Sequence, residues 1–379
     1  MRALVLRAER RGRLDLLDPA KAPASTVWAH PVLGEDEVPE PQIEHPQDVI
    51  IRVAYCGICG TDLHCSQPAA NGMVSFGGAA RFPVVLGHEF TGTIVRTGTA
   101  VTSLAVGDLV AAESVSACWE CTECRAGHLN ECERGELLGL TVNGAMAPLV
   151  RVDARHCYAI GRLADRYGRD QALRVGTLIE PLGVAHRGLT RAALRTDDRL
   201  VVVGLGPIGL GVIQLAKAAG VAQIVAFDPL ESRVALARAA GADACTLASM
   251  HERNTSPTAV VIDRFGARAS LVVEAAGTTD AFELAFAALG PRGRLLVLGR
   301  MPERVPFDTN RLLSSALTVI GSRGHAGADA FGAVINKIAD GVIDPSPLLT
   351  ACFDFADAQA AFAHARSGSG AKTIVRVEG

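Results

Sequence analysis

Four cysteines lie within fifteen residues: Cys118, Cys121, Cys124 and Cys132, spaced C-x2-C-x2-C-x7-C. Four thiolates on one compact loop make a closed tetrahedral set that suits zinc. Iron also accepts four thiolates, but the neighbours here are charged and water-facing, and no redox partner is in view. Such a set leaves no position for a substrate, so its expected role is structural.

A second chemical feature is Gly204-Leu205-Gly206-Pro207-Ile208-Gly209, which fits G-x-G-x-x-G. It follows an apolar strand, Leu200–Val203, and opens a helix, and an acidic residue, Asp228, ends the next strand. That context marks a dinucleotide site, with a pyrophosphate at the helix N-terminus. The expected contacts come from Gly204, Gly206, Pro207, Ile208 and Gly209. Asp228 would accept from the ribose hydroxyls and repel a 2′-phosphate, which favours NAD over NADP. Arg233 could cover the adenine or pair with Asp228. Leu298, Gly299 and Arg300, at the end of the fifth strand, are candidates for the nicotinamide end.

A third group is dispersed: Cys59 and His88 beside glycine-rich turns, Glu89 next to His88, and Glu180 where a strand is expected to enter a helix. Each has a plain alternative as a core or surface side chain. Cys56, Cys65, Cys157, Cys245 and Cys352 read as buried small apolar groups.

The elements that must position these groups fall into two patterns. Up to Val152 the sequence lacks helical periodicity and reads as a twisted, barrel-like β-domain. It has a short hairpin (Leu4–Leu6 with Leu14–Leu16), an irregular stretch from Asp18 to Pro46 and a strand at Val49–Val53. From Leu200, strands alternate with helices: strands at Gln223–Phe227, Asp243–Leu247, Ser270–Glu274, Arg294–Leu298 and Leu317–Ile320, helices at Ile208–Ala219, Ser232–Ala240, Thr258–Phe265 and Asp280–Leu289. Six strands with crossover helices make a doubly wound sheet. The helices at Ala328–Ala339 and Ala356–Arg366 and the last strand, Thr373–Val377, do not extend that pattern. They are assigned back to the first domain.

The chain has 379 residues, 49% hydrophobic and 20% charged, with a net charge of −3. That length suggests two domains, and the charge offers no field for nucleic acid or an anionic membrane. Neither a signal peptide nor a membrane-spanning run is evident. With a tight cysteine cluster this points to metal binding in a reducing cytoplasm.

G-I-C-G-T-D-L-H at Gly57–His64, G-H-E-F at Gly87–Phe90, the Cys118–Cys132 lobe, I-E-P-L-G-V-A-H at Ile179–His186 and the Gly204–Gly209 loop occur in this order. In this the chain resembles the zinc-containing medium-chain alcohol/polyol dehydrogenases over nearly its whole length. The resemblance implies an α/β fold: a β-rich GroES-like catalytic domain (1–184 and 323–379, with the structural zinc lobe at 114–135) and an inserted Rossmann domain (185–322). It implies two zinc ions per chain. Cys59 and His88 would be the first two ligands of the catalytic zinc, with Glu89, Glu180 or water completing its shell. Thr61 and His64 match the family's proton-relay positions. The chemistry implied is hydride transfer between a secondary alcohol and NAD.

The loop around Asn71–Gly78 and the segment Ile320–His325 are similar to the cyclitol-oxidising (inosose-type) members. Sorbitol-, glucose- and threonine-type enzymes share the same ligand types. A zinc-free quinone or enone reductase and a non-catalytic zinc/dinucleotide redox sensor are the rivals. A small-molecule polyol or cyclitol is the expected partner, and a homodimer or homotetramer the expected assembly.

Overall fold

The computed structural model of the chain describes residues 1–11, 27–247, 255–301, 304–327 and 329–378. Two sheets carry the candidate site. One is a seven-stranded sheet with Cys157–Ala159, Leu109–Ala112, Glu89–Thr97, Asp48–Gly57, Lys372–Arg376 and Leu349–Asp354 side by side; Leu149–Asp153 pairs with the first half of Asp48–Gly57. The other is a six-stranded parallel sheet in the order Asp243–Thr246, Gln223–Asp228, Arg199–Val203, Ala269–Glu274, Leu289–Val297 and Thr318–Gly321. The order reverses at Arg199–Val203, which is where a doubly wound sheet opens a crevice for a ligand.

Both faces of the parallel sheet are covered. Leu200 and Val202 pack into one apolar cluster, Val201 and Val203 into another, all at most 2% exposed. Successive side chains of a strand point to opposite faces, so an all-apolar run is what a doubly covered strand requires. Burying one such side chain contributes about 1.5–3 kcal/mol.

The last strand returns to the first sheet. Lys372–Arg376 runs antiparallel to Asp48–Gly57, with Val375 opposite Cys56 and Ile374 opposite Gly57. The C-terminal segment therefore completes the sheet that begins near residue 48.

Three expectations need correction. Leu14–Leu16 lies outside the described residues; the partner of Arg2–Arg10 is Trp28–Glu37, inside a stretch read as irregular. Its Pro and charged residues hid it, but Trp28 anchors it, donating from Nε1 to Ala80 O at 2.9 Å and meeting Phe82 edge-on. Secondly, no strand leads to Glu180. Helix Arg169–Gly176 precedes it, and Glu180 is the second residue of helix Ile179–Arg191. A short buried apolar run cannot be told from a strand by periodicity. That helix also runs unbroken through the 184/185 division, joining the elements on its two sides. Thirdly, Cys352 is exposed and Cys157 and Cys245 are half-buried, whereas Cys56 and Cys65 are fully buried.

Candidate functional site

Strand register brings the first two dispersed residues together. Asp48–Gly57 pairs antiparallel with Glu89–Thr97, with Gly57 opposite Glu89. Cys59 lies two residues beyond Gly57 and His88 one residue before Glu89, so both leave the sheet at the same corner. Desolvation first, then the Glu89 charge, pushes the Cys59 thiol up, against the pull of the buried His88 ring.

Cys59 caps the short helix Gly60–Cys65, and its N–H donates to Asp62 Oδ2 at 2.9 Å. The other oxygen, Asp62 Oδ1, faces His88 Nδ1 at 3.7 Å, and both atoms are buried with no closer partner. The imidazole thus turns Nδ1 toward a carboxylate and leaves Nε2 for a ligand. This is the arrangement by which a carboxylate orients a metal-binding histidine. Burial opposes protonation of His88, but Asp62, Cys59 and Glu180 outweigh it and hold its pKa well above 6.5.

The two glutamates differ. Glu89 is 1% exposed and pairs with Lys372 Nζ, which also donates to Ile58 O at 3.1 Å. Burial pushes the Glu89 carboxyl up, against the pull of Lys372. Glu180 Oε1 lies 3.0 Å from His325 Nε2 and accepts from Ser114 Oγ at 3.1 Å, while no partner of Oε2 is seen among the described residues. Burial opposes ionisation of Glu180, but the His325 charge and hydrogen bond, with His88 and Lys372, outweigh it and bring the carboxyl down to about 2.

Cys59, His88, Glu89 and Glu180 gather around one corner, but their ligand atoms do not close on one point. Among the described residues, the set of three or more possible ligands lying within 4.8 Å of one another is the four-cysteine lobe. The donors at the corner nonetheless fit a zinc ion: a thiol, an imidazole nitrogen and a carboxylate oxygen left without a partner.

In the lobe the fit is geometric. Cys118 Sγ and Cys124 Sγ are 3.9 Å apart, as are Cys121 Sγ and Cys132 Sγ. A tetrahedron of sulfurs about 2.3 Å from zinc has edges of about 3.8 Å. Backbone N–H groups also point at sulfur: Cys118 N donates to Cys132 Sγ at 3.2 Å, and Cys121 N to Cys118 Sγ at 3.4 Å. Hydrogen bonds from the backbone draw the Cys118 thiol down to about 6, while desolvation pushes Cys124 up to about 12. All ten cysteines are free of disulfides.

Thr61 and His64 share one face of helix Gly60–Cys65, three residues apart. Both are half-buried. Desolvation first, then the charge of Arg300, lowers the His64 pKa. Arg300 places its guanidinium over the Phe76 ring, 4.2 Å from the centroid, and so reaches from the parallel sheet to the loop of the other domain.

The glycine loop is tightly built. A Cβ on Gly209 would stand 1.9 Å from Gly204 O. Asp228 is 2% exposed and accepts from Leu205 N at 2.8 Å and from Leu230 N at 2.9 Å. Its carboxylate therefore also braces the loop. Arg233 donates from Nε to Gly370 O at 3.0 Å, and its Nη1 lies 3.9 Å from Asp228. Leu298 and Gly299 donate backbone N–H to Glu274 O where strand Leu289–Val297 ends. A cleft of about 160 Å³ is lined by Cys59, Glu89 and Lys372 on one side and by Pro207, Ile208 and Arg233 on the other. The corner of the first sheet thus faces the glycine loop of the second.

Sequence reasoning missed Asp62, Lys372, Ser114 and His325. Asp62 sits inside the Gly57–His64 motif, and Lys372 is a lone charge at the head of an apolar strand, so each left a faint signal. Ser114 left none. His325 closes the Ile320–His325 segment, with no local motif to mark a role.

The alcohol dehydrogenase GroES-like domain model matches residues 45–162, and the zinc-binding dehydrogenase model matches residues 207–340. The chain is 33% identical to the scyllo-inosose 3-dehydrogenase of Thermotoga maritima over 331 residues, covering 84% of this chain and 83% of that one. It is 30% identical to a probable D-xylulose reductase A of Aspergillus clavatus, covering 91% and 94%. Among solved structures, the alcohol dehydrogenase of Thermus sp. ATN1 superposes with a TM-score of 0.80 at 26% identity, covering 100% of both chains. No described helix is long and apolar enough to cross a membrane.

Proposed function

The chain belongs to the zinc-containing medium-chain alcohol/polyol dehydrogenases, and from that premise we propose that it transfers hydride between a secondary alcohol of a polyol or cyclitol and NAD. The zinc would be held by Cys59, His88 and the free oxygen of Glu180. Glu89, engaged by Lys372, stands behind them. The observation that carries this reading is the meeting of Cys59 and His88 at one sheet corner, across a single cleft from Pro207 and Ile208.

When bound, zinc supplies a Lewis acid that lowers the pKa of the substrate hydroxyl, and NAD supplies the hydride acceptor. The protein's own part is positional. Asp62 turns the His88 ring. The cleft holds the reacting carbon near the nicotinamide end of the cofactor, where Leu298, Gly299 and Arg300 are the candidate contacts. Thr61 Oγ takes the alcohol proton toward His64, whose lowered pKa keeps it neutral and able to accept at pH 7. Asp228 favours NAD because a 2′-phosphate would meet a buried carboxylate.

The cyclitol choice rests on the similarity to the inosose dehydrogenase; the xylulose reductase supports acyclic polyols as the second reading. NADH production against a panel of inositols, inososes, pentitols, hexitols, glucose and threonine, with NADP in parallel, decides between them. Turnover with none of these, in protein carrying two zinc ions, would sink the reading.

A further inference from the structure

We infer that His325 is a positioning residue for Glu180, and that Asn130 of the four-cysteine lobe holds His325 in place. This rests on the proposed reading of Glu180 as a zinc ligand.

His325 is fully buried. Its Nε2 lies 3.0 Å from Glu180 Oε1 and 2.9 Å from Ser114 Oγ, and Ser114 Oγ donates to the same Glu180 oxygen at 3.1 Å. Ser114 Oγ thus donates to one oxygen of the carboxylate while His325 Nε2 lies against both the hydroxyl and that oxygen, and among the described residues the other oxygen, Oε2, is left without a partner. A carboxylate ligand has two oxygens and three rotatable bonds. Pinning Oε1 selects one orientation before any cation arrives.

The imidazole is itself wedged. It packs against the Phe331 ring, with centroids 4.7 Å apart. Gly183, one turn beyond Glu180 on the same helix, leaves the space it needs; a Cβ there would come within 3.0 Å of His325 Cβ.

The segment bearing His325 has almost no regular structure, so something else must hold it. Asn130, 2% exposed, brackets the next residue completely: Ala326 N donates to Asn130 Oδ1 at 2.8 Å, and Asn130 Nδ2 donates to Ala326 O at 2.9 Å. Gly324, at φ +59°, allows the turn, and a Cβ there would meet Asn130 Oδ1 at 2.7 Å. Arg187, on the Glu180 helix, closes the circuit, with Nη1 3.4 Å from Ala326 O and Nη2 3.5 Å from Glu131. Asn130 and Glu131 lie in the single turn Leu129–Glu131, between Cys124 and Cys132. The fold of the cysteine lobe therefore reaches Glu180 through Asn130, Ala326 and His325. The lobe supports the candidate catalytic corner as well as its own loop.

The test measures zinc affinity at the non-cysteine-lobe site by chelator competition, with the four-cysteine zinc as an internal control, and the absorption of the cobalt-substituted protein. His325→Leu keeps the packing on Phe331 and removes the ring nitrogen that meets Glu180 and Ser114; it is expected to weaken that site tenfold or more and to alter the cobalt–thiolate bands. His325→Gln, which keeps a polar group able to meet Glu180 and Ser114, should recover most of the affinity. Asn130→Ala should weaken the same site while all four cysteines keep their metal; unaltered affinity there removes the lobe from this support. Parent-like affinity and spectrum in folded His325→Leu overturn the inference. If that variant does not fold, Ser114→Ala removes the hydroxyl that bridges His325 and Glu180 and is read the same way, with unchanged affinity overturning it. A parent chain that binds zinc in the four-cysteine lobe alone sinks the functional reading and this inference together. A parent with two zinc ions and an unaltered His325→Leu sinks the inference alone.

Discussion

Lys372 Nζ and Glu89 Oε2 form an ion pair inside the protein, with side chains 2% and 1% exposed. It joins the last strand of the chain to the strand that follows His88, across 283 residues of sequence. Removing one partner of a buried pair leaves an uncompensated charge and costs about 3–5 kcal/mol. Lys372→Met should therefore lower unfolding stability by that order in urea titrations. Lys372→Arg, which keeps the charge, should lose less. Equal stability of Lys372→Met and the parent would show that the pair holds nothing together.

His64 should set the acid limb of turnover. Its folded pKa is lowered, by desolvation and then by Arg300. A group with a depressed cationic pKa is neutral above it, so the ability to accept a proton is lost only as pH falls below about 6.5. Arg300→Met removes the repelling charge and should move the limb upward. His64→Ala should depress kcat most above that pH, where the parent imidazole is neutral, and approach the parent at low pH. Identical kcat–pH profiles in parent and both variants would remove His64 from the relay.

The two metal sites should separate by mutation. Cys59→Ser should retain the four-cysteine zinc and the fold while losing the second zinc and activity by orders of magnitude. Cys132→Ser should lose the lobe zinc. Metal analysis per chain, with circular dichroism, reads both. Full activity in Cys59→Ser would refute its assignment as a ligand.

Asp228 combines two tasks, bracing Leu205 and Leu230 and facing the expected ribose. Like charges brought together cost several kcal/mol. Asp228→Ser should shift the ratio of kcat/KM for NAD over NADP toward NADP by tenfold or more, with some loss of stability from the freed backbone donors. A parent enzyme that already prefers NADP contradicts this role.

The parallel sheet ends on Thr318–Gly321, where Val319 is 40% exposed, and nearby Leu313 is 81% exposed. An open edge strand with apolar side chains invites pairing with a second copy. A dimer through this edge is the expected assembly. Val319→Lys with Leu313→Glu should yield monomer in sedimentation equilibrium, while an unchanged oligomer places the interface elsewhere.

The sequence by itself determined whatever is written locally. The spacing Cys118–Cys132 closes a ring of sulfurs within one loop. Gly204–Gly209, between an all-apolar strand and a helix, marks the crevice expected to take a nucleotide, and period and length place the parallel strands. Only the tertiary structure decided which distant groups meet. Cys59 and His88 share a corner because Gly57 stands opposite Glu89 in the sheet, and one residue of slip would send their side chains to other faces. Lys372 reaches Glu89, and His325 reaches Glu180, through strand pairing and helix packing that no short motif encodes. Their neighbours in sequence are unremarkable, because the low-dielectric interior that gives these pairs their force exists only once the sheets have closed.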